Sequence, residues 1–342
     1  MITHARTIGP VRPPAPARSG RMRTRAATLA VLALVARPPL AAAQGATTPP
    51  AAPAAVTRDD LAKAYLRMDR TYAAADSVGR ISDATRALVN RTFDRATLSF
   101  FGGRFAAAVA SIDTSVQQLA ETSGIPLPPA VAAVPVLSAF PGDARRTLIG
   151  PNGAVIPMRV VVPPTLAKSK RPVGVLLALH GAGGDENMFV DAYGQGIVAR
   201  LAAAQGLMLV SPTTAPFVQS AEPFDSLVAM LRREYRLDTT RVFVMGHSMG
   251  AGAAASLARL RPSKIAGVVC LAGGAAVAVP GAPPMLFIGA QLDPIIPAAR
   301  VKTAAEGTPT GTYEELANEG HTLMVRRGVQ RGMAWLAALP RR

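Results

Sequence analysis

The sequence is poor in cysteine, lysine and aromatic residues. Its 342 residues include one cysteine, one tryptophan and five lysines, and aromatic residues make up 5% of the chain. One thiol cannot form an internal disulfide, which excludes the disulfide-rich scaffolds of small secreted domains. The cysteine, Cys270, lies in the apolar run IAGVVCLAG, and we expect it to be a small buried hydrophobic residue on a strand.

Acidic residues are also scarce: 21 Asp and Glu stand against 37 Lys and Arg, a net charge of +16. Residues 1–43 hold seven of the arginines and no acid, and most of the remaining basic residues are scattered. The tight run at 168–171 precedes an apolar strand and indicates a solvated loop. Because a nucleic-acid surface needs a basic stripe or a known module, no nucleic-acid partner is predicted. Hydrophobic residues reach 49%, enough for a sizeable core.

The first 43 residues have the pattern of a signal peptide. A basic stretch at 21–25 precedes the apolar run 26–36, and small residues follow, with the simplest cleavage point after Ala43. The apolar run is too short for a permanent membrane helix. We therefore expect an exported protein, periplasmic or secreted, with no stable membrane span after processing. The alternative is an Ala/Pro/Arg-rich tail without a targeting role. Residues 44–56 are predicted to be a Pro/Ala linker.

A helical hairpin segment is predicted over residues 57–122. Thr57 is a plausible N-cap of its first helix, and apolar residues recur at helical spacing over 83–101 and 104–121. The segment carries no cluster of reactive side chains, so the sequence assigns it no chemical role. A Pro-rich linker is predicted at 123–135.

Residues 136–342 alternate between strand and helix patterns. A hairpin is predicted over 145–164, a buried parallel strand over 173–181, and one helix over 187–205. Further strands are predicted at 207–212, 241–246, 265–273, 284–290 and 312–318, with helices at 224–235, 252–260, 298–306 and 328–339. This alternation predicts an α/β fold, a doubly wound and mostly parallel sheet, in which ligands bind at the carboxyl ends of the strands.

The stretch Gly246-His247-Ser248-Met249-Gly250 lies between a predicted strand and a predicted helix. In so tight a turn the serine backbone is strained, and its Oγ is pushed out at the carboxyl edge of the sheet. Free N–H groups at the helix start favour developing negative charge there. Ser248 is the candidate nucleophile; the alternative is an ordinary Gly/Ser turn.

A serine nucleophile needs a base and an orienting carboxylate. His321 alone among the histidines follows Ser248, and it lies in a predicted loop. Asp293 is the one aspartate after Ser248, and it follows the predicted strand 284–290. Four glutamates are alternatives for this carboxylate: Glu306 on a predicted helix, Glu314 and Glu315 on a predicted strand, and Glu319 beside His321. Glu319 is poorly placed to reach the far edge of the His321 ring. We therefore predict Asp293 as the orienting acid.

Donors for an oxyanion are expected in the loop His180-Gly181-Ala182-Gly183-Gly184, which follows the strand 173–181. We predict that the N–H of Ala182, with Gly183 as second choice, pairs with the N–H of Met249. The loop lacks the glycine patterns of phosphate-binding loops, and His180 is predicted to be structural.

The order Ser248, Asp293, His321, preceded by the His-Gly-x-Gly-Gly loop, resembles the α/β-hydrolase superfamily over residues 145–340. Within it the chain resembles secreted esterases akin to polyhydroxybutyrate depolymerases, feruloyl esterases and dienelactone hydrolases. It also resembles the catalytic domain of prolyl-oligopeptidase-type peptidases. The dienelactone hydrolases usually have a cysteine nucleophile, where this chain has serine.

The resemblance implies that residues 136–342 are a catalytic domain that cleaves carboxylic esters through an acyl-enzyme. By that resemblance Ser248 is the nucleophile, His321 the base, Asp293 the acid, and the N–H groups of Ala182 and Met249 form the oxyanion hole. It implies no metal and no organic cofactor, and a small-molecule or polymeric ester as substrate. A serine peptidase and a non-catalytic binding protein of the same fold are the alternatives. The short segment 273–284 leaves little room for a lid.

Overall fold

The computed structural model describes residues 55–133, 140–168 and 171–340, which belong to one compact unit. The predicted signal peptide, residues 1–43, and all but the last two residues of the predicted linker 44–56 lie outside the described residues. Among the described helices, none has both the length and the apolar character needed to cross a membrane.

Three helices precede the sheet in the described chain: α1 (Arg58–Ser77), α2 (Asp83–Phe101) and α3 (Phe105–Ser123). The Thr57 hydroxyl accepts a hydrogen bond from the Asp60 N–H, and the Asp60 carboxylate accepts one from the Thr57 N–H, so a capping box begins α1. The helices share a core that includes Met68, Phe93 and Ile112. The predicted helical segment is therefore present, as three helices.

The eight-stranded sheet has the order β1-β2-β4-β3-β5-β6-β7-β8. Its strands are β1 (Asp143–Ile149), β2 (Val155–Val161), β3 (Val173–Leu179), β4 (Leu207–Pro212), β5 (Leu237–His247), β6 (Gly267–Leu271), β7 (Met285–Ala290) and β8 (Gly311–Leu316). Strand β2 pairs antiparallel with β1 and β4, and every other pairing is parallel. The predicted doubly wound, mostly parallel sheet is confirmed.

Helices cover both faces of this sheet. They are α4 (Pro164–Ala167), α5 (Ile197–Ala204), α6 (Ala215–Gln219), α7 (Glu222–Glu234), α8 (Met249–Leu260), α9 (Ala298–Glu306) and α10 (Val325–Ala338). One core lies between the sheet and α6, α7, α8 and α9, and the other between the sheet and α5 and α10. Every residue of β3 is buried, because the strand is covered on both faces.

The single helix predicted over 187–205 is wrong. A short π-helical segment, Met188–Ala192, and helix α5 are separated by a break. Within the break Gly194, Gln195 and Gly196 have φ values of 62°, 54° and 64°, which a right-handed helix cannot contain. The carboxylate of Asp69, on α1, accepts hydrogen bonds from the N–H groups of Gly194 and Gln195. A contact from a distant helix therefore holds the break.

Candidate active site

Ser248 lies between the end of β5 and the start of α8, with φ 54° and ψ −115°. Such a conformation costs an L-residue on the order of 1–3 kcal/mol, and it turns the side chain away from the sheet. Its N–H donates to the Leu271 carbonyl at 2.9 Å. A Cβ at Gly246 would lie 2.1 Å from the Gly250 carbonyl oxygen, and a Cβ at Gly250 would lie 1.9 Å from the Leu179 carbonyl oxygen. Close backbone packing therefore requires both glycines.

The three predicted side chains meet at the carboxyl edge of the sheet. His321 Nε2 lies 2.9 Å from Ser248 Oγ, and His321 Nδ1 lies 2.7 Å from Asp293 Oδ2. The other Asp293 oxygen accepts from the N–H groups of Ile295 and Ile296, at 2.8 and 2.9 Å. A carboxylate accepts from Nδ1–H, which leaves Nε2 free to accept the serine proton. The structure thus brings Ser248, His321 and Asp293 into one hydrogen-bond chain.

The rival carboxylate, Glu319, is occupied elsewhere. It is fully buried, and its Oε1 pairs with Arg86 at 3.0 Å and with Arg327 at 3.1 Å. Its Oε2 accepts from the Asn90 side-chain amide at 3.1 Å. The orienting position beside the His321 ring is therefore taken by the aspartate that the sequence favours.

Both predicted oxyanion donors belong to backbone segments that pass beside Ser248. A Cβ at Gly181 would lie 3.4 Å from the Ser248 Cβ, so the loop that continues into Ala182 and Gly183 passes beside the serine. Met249 is the first residue of α8, and the N–H groups of a helix's first turn have no partner within the helix. The two backbone segments that carry the predicted donors therefore lie next to Ser248, and the role of their N–H groups stays a prediction.

Two more histidines brace the site. His180 Nε2 accepts the Thr214 N–H at 3.0 Å, so its Nδ1–H donates to the Gly181 carbonyl, and burial lowers the pKa of His180. His247 Nε2 donates to the His321 carbonyl, and its Nδ1 accepts from the Tyr193 hydroxyl, both at 2.9 Å. Burial lowers the pKa of His247 to about 3, so it stays neutral. Within the described ranges, no three histidine, cysteine or carboxylate side chains are placed to share a metal ion.

A pocket of about 340 Å³ opens onto Ser248 and His321. One wall is the glycine loop and the segment that follows it, and the other wall is built by α1 and α2. The helical wall is mostly apolar, with Arg58 and Thr97 as its polar members, and its apolar residues include Leu61, Tyr65, Phe93, Ala96 and Phe100. The sequence assigned these helices no role, yet they cover the site. The one signal in the sequence for this covering role is the spacing of the aromatic residues on α2, and that spacing is equally typical of a helix face buried in a core.

A family model described as serine aminopeptidase, S33, matches residues 174–327. No curated protein sequence matches the chain. The match contains Ser248, Asp293 and His321 and excludes the three N-terminal helices.

Solved structures of similar fold include a thermostable esterase, with 20% identity, a TM-score of 0.46, and coverage of 57% of this chain and 62% of that one. An S-formylglutathione hydrolase from Agrobacterium tumefaciens is 18% identical, with a TM-score of 0.47 and coverage of 59% and 97%. A hyperthermophilic esterase from the archaeon Pyrobaculum calidifontis is 17% identical, with a TM-score of 0.44 and coverage of 58% and 82%.

Likenesses this distant carry no information about a substrate. The sheet order, the serine turn between β5 and α8, and the family match over residues 174–327 agree with one another. On these grounds the described residues have an α/β-hydrolase fold, and the family match covers less than half of the chain.

Proposed function

We propose that this protein is a serine hydrolase that cleaves carboxylic esters through an acyl-enzyme intermediate. The observation that carries the proposal is the continuous hydrogen-bond chain from Ser248 Oγ through the His321 ring to Asp293, which ends in front of an apolar pocket. A serine hydroxyl is a weak nucleophile, and an imidazole held in this tautomer is the group that activates it.

In the proposed reaction His321 Nε2 takes the proton of Ser248 as Oγ attacks the ester carbonyl. The N–H groups of Ala182 and Met249 donate to the oxyanion, and Asp293 stabilises the imidazolium. His321 then returns the proton to the leaving alcohol as the acyl-enzyme forms. In the second half His321 takes a proton from water as the water oxygen attacks the acyl carbon. His321 then gives this proton to Ser248 Oγ as the acyl–oxygen bond breaks, which releases the acid and restores the serine.

A serine peptidase is the second candidate, because the matching family is described as an aminopeptidase. An aminopeptidase pocket must hold the ammonium group of its substrate, which calls for an available carboxylate. Two carboxylates line the described pocket. Asp191 is ion-paired with Arg159 at 2.7 Å, and Asp185 accepts the Asn187 N–H in an exposed turn. The exposed Asp185 carboxylate keeps the peptidase as the alternative, whereas the mostly apolar helical wall supports an uncharged substrate group such as that of an ester.

The test compares nitrophenyl esters with aminoacyl-nitroanilides, using the wild type and Ser248→Ala. We expect the wild type to turn over esters and Ser248→Ala not to. The melting temperature should be unchanged, since the substitution removes one hydroxyl and leaves the core intact. Faster turnover of anilides than of esters would favour the peptidase. Turnover of neither substrate would favour a non-catalytic binding protein.

We also propose that the chain is exported, on the signal-peptide pattern of residues 1–43. Expression in a Gram-negative host followed by periplasmic extraction and N-terminal sequencing tests this. A mature chain that begins at Gln44 supports export, and an uncleaved cytoplasmic chain contradicts it.

A further inference from the structure

The helical wall of the pocket has a consistent chemistry. Phe93 lies edge-on to Tyr65 with ring centroids 5.8 Å apart, and Phe100 stacks with Phe105 at 6.0 Å. A Cβ at Gly183 would lie 2.3 Å from the Phe100 ring, so this ring packs directly on the glycine loop beside the candidate nucleophile. Phe101 is 49% exposed at the same pocket. Apart from Arg58 and Thr97, the residues of this wall offer a ligand aromatic and aliphatic surface.

We infer that α1 and α2 form the specificity wall of the enzyme and that its substrates are small esters bearing an apolar hydrocarbon group. This inference rests on the proposed function. A pocket of 340 Å³ is at the small end of ligand sites, which suits one such group beside the ester. The shared chemistry is a hydrocarbon chain or ring, attached through either the acyl or the alcohol side of the ester.

Two substrate series distinguish the two sides: nitrophenyl esters of acids from acetate to dodecanoate, and acetate esters of alcohols of increasing length. We expect kcat/KM to rise at least tenfold with length in one series, and Phe100→Ala to lower that rise about tenfold, taken as the ratio of the longest to the shortest ester for each protein. Leu98→Ala is the matched control, because Leu98 lies on α2 but is 47% exposed and outside the pocket. If kcat/KM does not change with length in either series, or if Phe100→Ala leaves the rise unchanged, the inference about the specificity wall is overturned while the proposed function stands. No turnover of any ester overturns the proposed function and this inference with it.

A second, independent observation concerns the polar residues of α2 that lie beside its pocket-facing residues. Four polar residues, Arg86, Asn90, Asp94 and Thr97, recur at helical spacing and contact the successive residues 319, 320, 321 and 322 of the loop that carries the candidate base. One face of the helix therefore follows this loop residue by residue.

The central pair of contacts is made to backbone. Asn90 Oδ1 accepts the Gly320 N–H at 2.8 Å, and the Asp94 carboxylate accepts the His321 N–H, 3.1 Å from each oxygen. A Cβ at Gly320 would lie 2.1 Å from Asp94 Oδ2, so the helix and the loop are in direct contact. Both side chains on α2 are buried.

The peptide groups of His321 are held from two directions. Asp94 on α2 accepts its N–H, and His247 at the end of β5 donates to its carbonyl. Burial raises the pKa of Asp94 to about 7, with a smaller contribution from the nearby Asp293 charge. A buried carboxyl here therefore lowers stability at neutral pH, and its contacts serve to position the His321 backbone.

We propose that Asn90 and Asp94 are positioning residues for His321. They fix the backbone from which the imidazole reaches Ser248 and Asp293, so helices outside the family-matched segment 174–327 are required for the geometry of the site. Misplacement of a reacting group by about 1 Å costs on the order of a hundredfold in rate.

The test is Asp94→Ala against Asp94→Asn, in the full chain. We expect kcat to fall 10- to 100-fold in Asp94→Ala with KM nearly unchanged, and to be largely rescued in Asp94→Asn, whose amide oxygen still accepts the His321 N–H. Asp113→Ala is the control, because this carboxylate lies on α3 and makes a partly exposed ion pair with Arg67. A folded Asp94→Ala protein with wild-type kcat overturns the proposal.

Because removal of a buried acceptor can prevent folding, a second measurement uses the wild type. Native-state hydrogen exchange should show the Gly320 and His321 amides protected as strongly as the amides of β5. Exchange as fast as that of an exposed loop overturns the proposal even if no Asp94 variant folds. If these amides are protected but the wild type turns over no ester, the proposed function is overturned instead.

Discussion

The substitution Asp293→Asn tests the reasoning about the His321 tautomer most sharply, because it removes a charge and keeps the shape. In the wild type one Asp293 oxygen accepts the N–H groups of Ile295 and Ile296, and the other faces His321 Nδ1. The carbonyl oxygen of asparagine can take only one of these places. The N–H groups of Ile295 and Ile296 keep the carbonyl oxygen on their side, so the amide NH₂ faces the imidazole.

An NH₂ group facing Nδ1 donates to it and moves the ring proton to Nε2. The ring then donates to Ser248 Oγ at the present 2.9 Å contact and cannot accept its proton. The expected loss is about 10⁴-fold in kcat at neutral pH, equivalent to about 5 kcal/mol of activation free energy.

The assay is steady-state hydrolysis of a nitrophenyl ester, with a thermal melt to show that the variant is folded. Asp238→Asn is the matched control, because Asp238, near the start of β5, likewise accepts the N–H of a residue two positions later, Thr240, but lies outside the candidate site. It should retain wild-type kcat. An Asp293→Asn enzyme within tenfold of the wild type would refute the account of the tautomer.

Three further predictions concern stability and reactivity. Gly246→Ala should yield no folded protein, since its Cβ would lie 2.1 Å from a backbone oxygen. Gly252→Ala is the matched variant: its Cβ has open space inside α8, so it should raise the unfolding free energy by about 0.5–1 kcal/mol. Chemical denaturation measures both, and a stable Gly246→Ala protein would contradict the packing argument. Burial raises the pKa of Asp69 from 3.8 to about 7, so its contribution to stability is present below about pH 4 and is lost as pH rises through about 7. The stability of the wild type relative to Asp69→Asn should therefore decline over that window in denaturation curves, and a constant difference would show that the folded pKa is not raised. Burial raises the pKa of the Cys270 thiol, so iodoacetamide should neither label the native protein nor reduce ester turnover, and rapid labelling would show that β6 is accessible.

The sequence predicts well what depends on local pattern. Continuous apolar runs identify the buried strand β3, and the glycines around Ser248 identify a strand-to-helix turn that the structure places between β5 and α8. His321 and Asp293 could be selected because few histidines and aspartates follow Ser248, and the carboxyl ends of parallel strands meet at one edge of the sheet.

What the sequence does not predict depends on contacts between distant segments. The pattern of 187–205 is helical, and the break within it is held by Asp69, more than a hundred residues earlier. The polar residues Asn90 and Asp94 look like ordinary solvent-facing positions of an amphipathic helix. Only the packing of α2 on the loop of His321 shows that they are buried and bonded to its backbone.

Covalent labelling with a fluorophosphonate, mapped by mass spectrometry, tests most directly whether Ser248 is the activated nucleophile. We expect one adduct, on the peptide that contains Ser248, with ester turnover lost in proportion to labelling and no adduct in Ser248→Ala. An adduct on another residue, or full turnover by enzyme whose Ser248 is completely modified, would contradict this expectation.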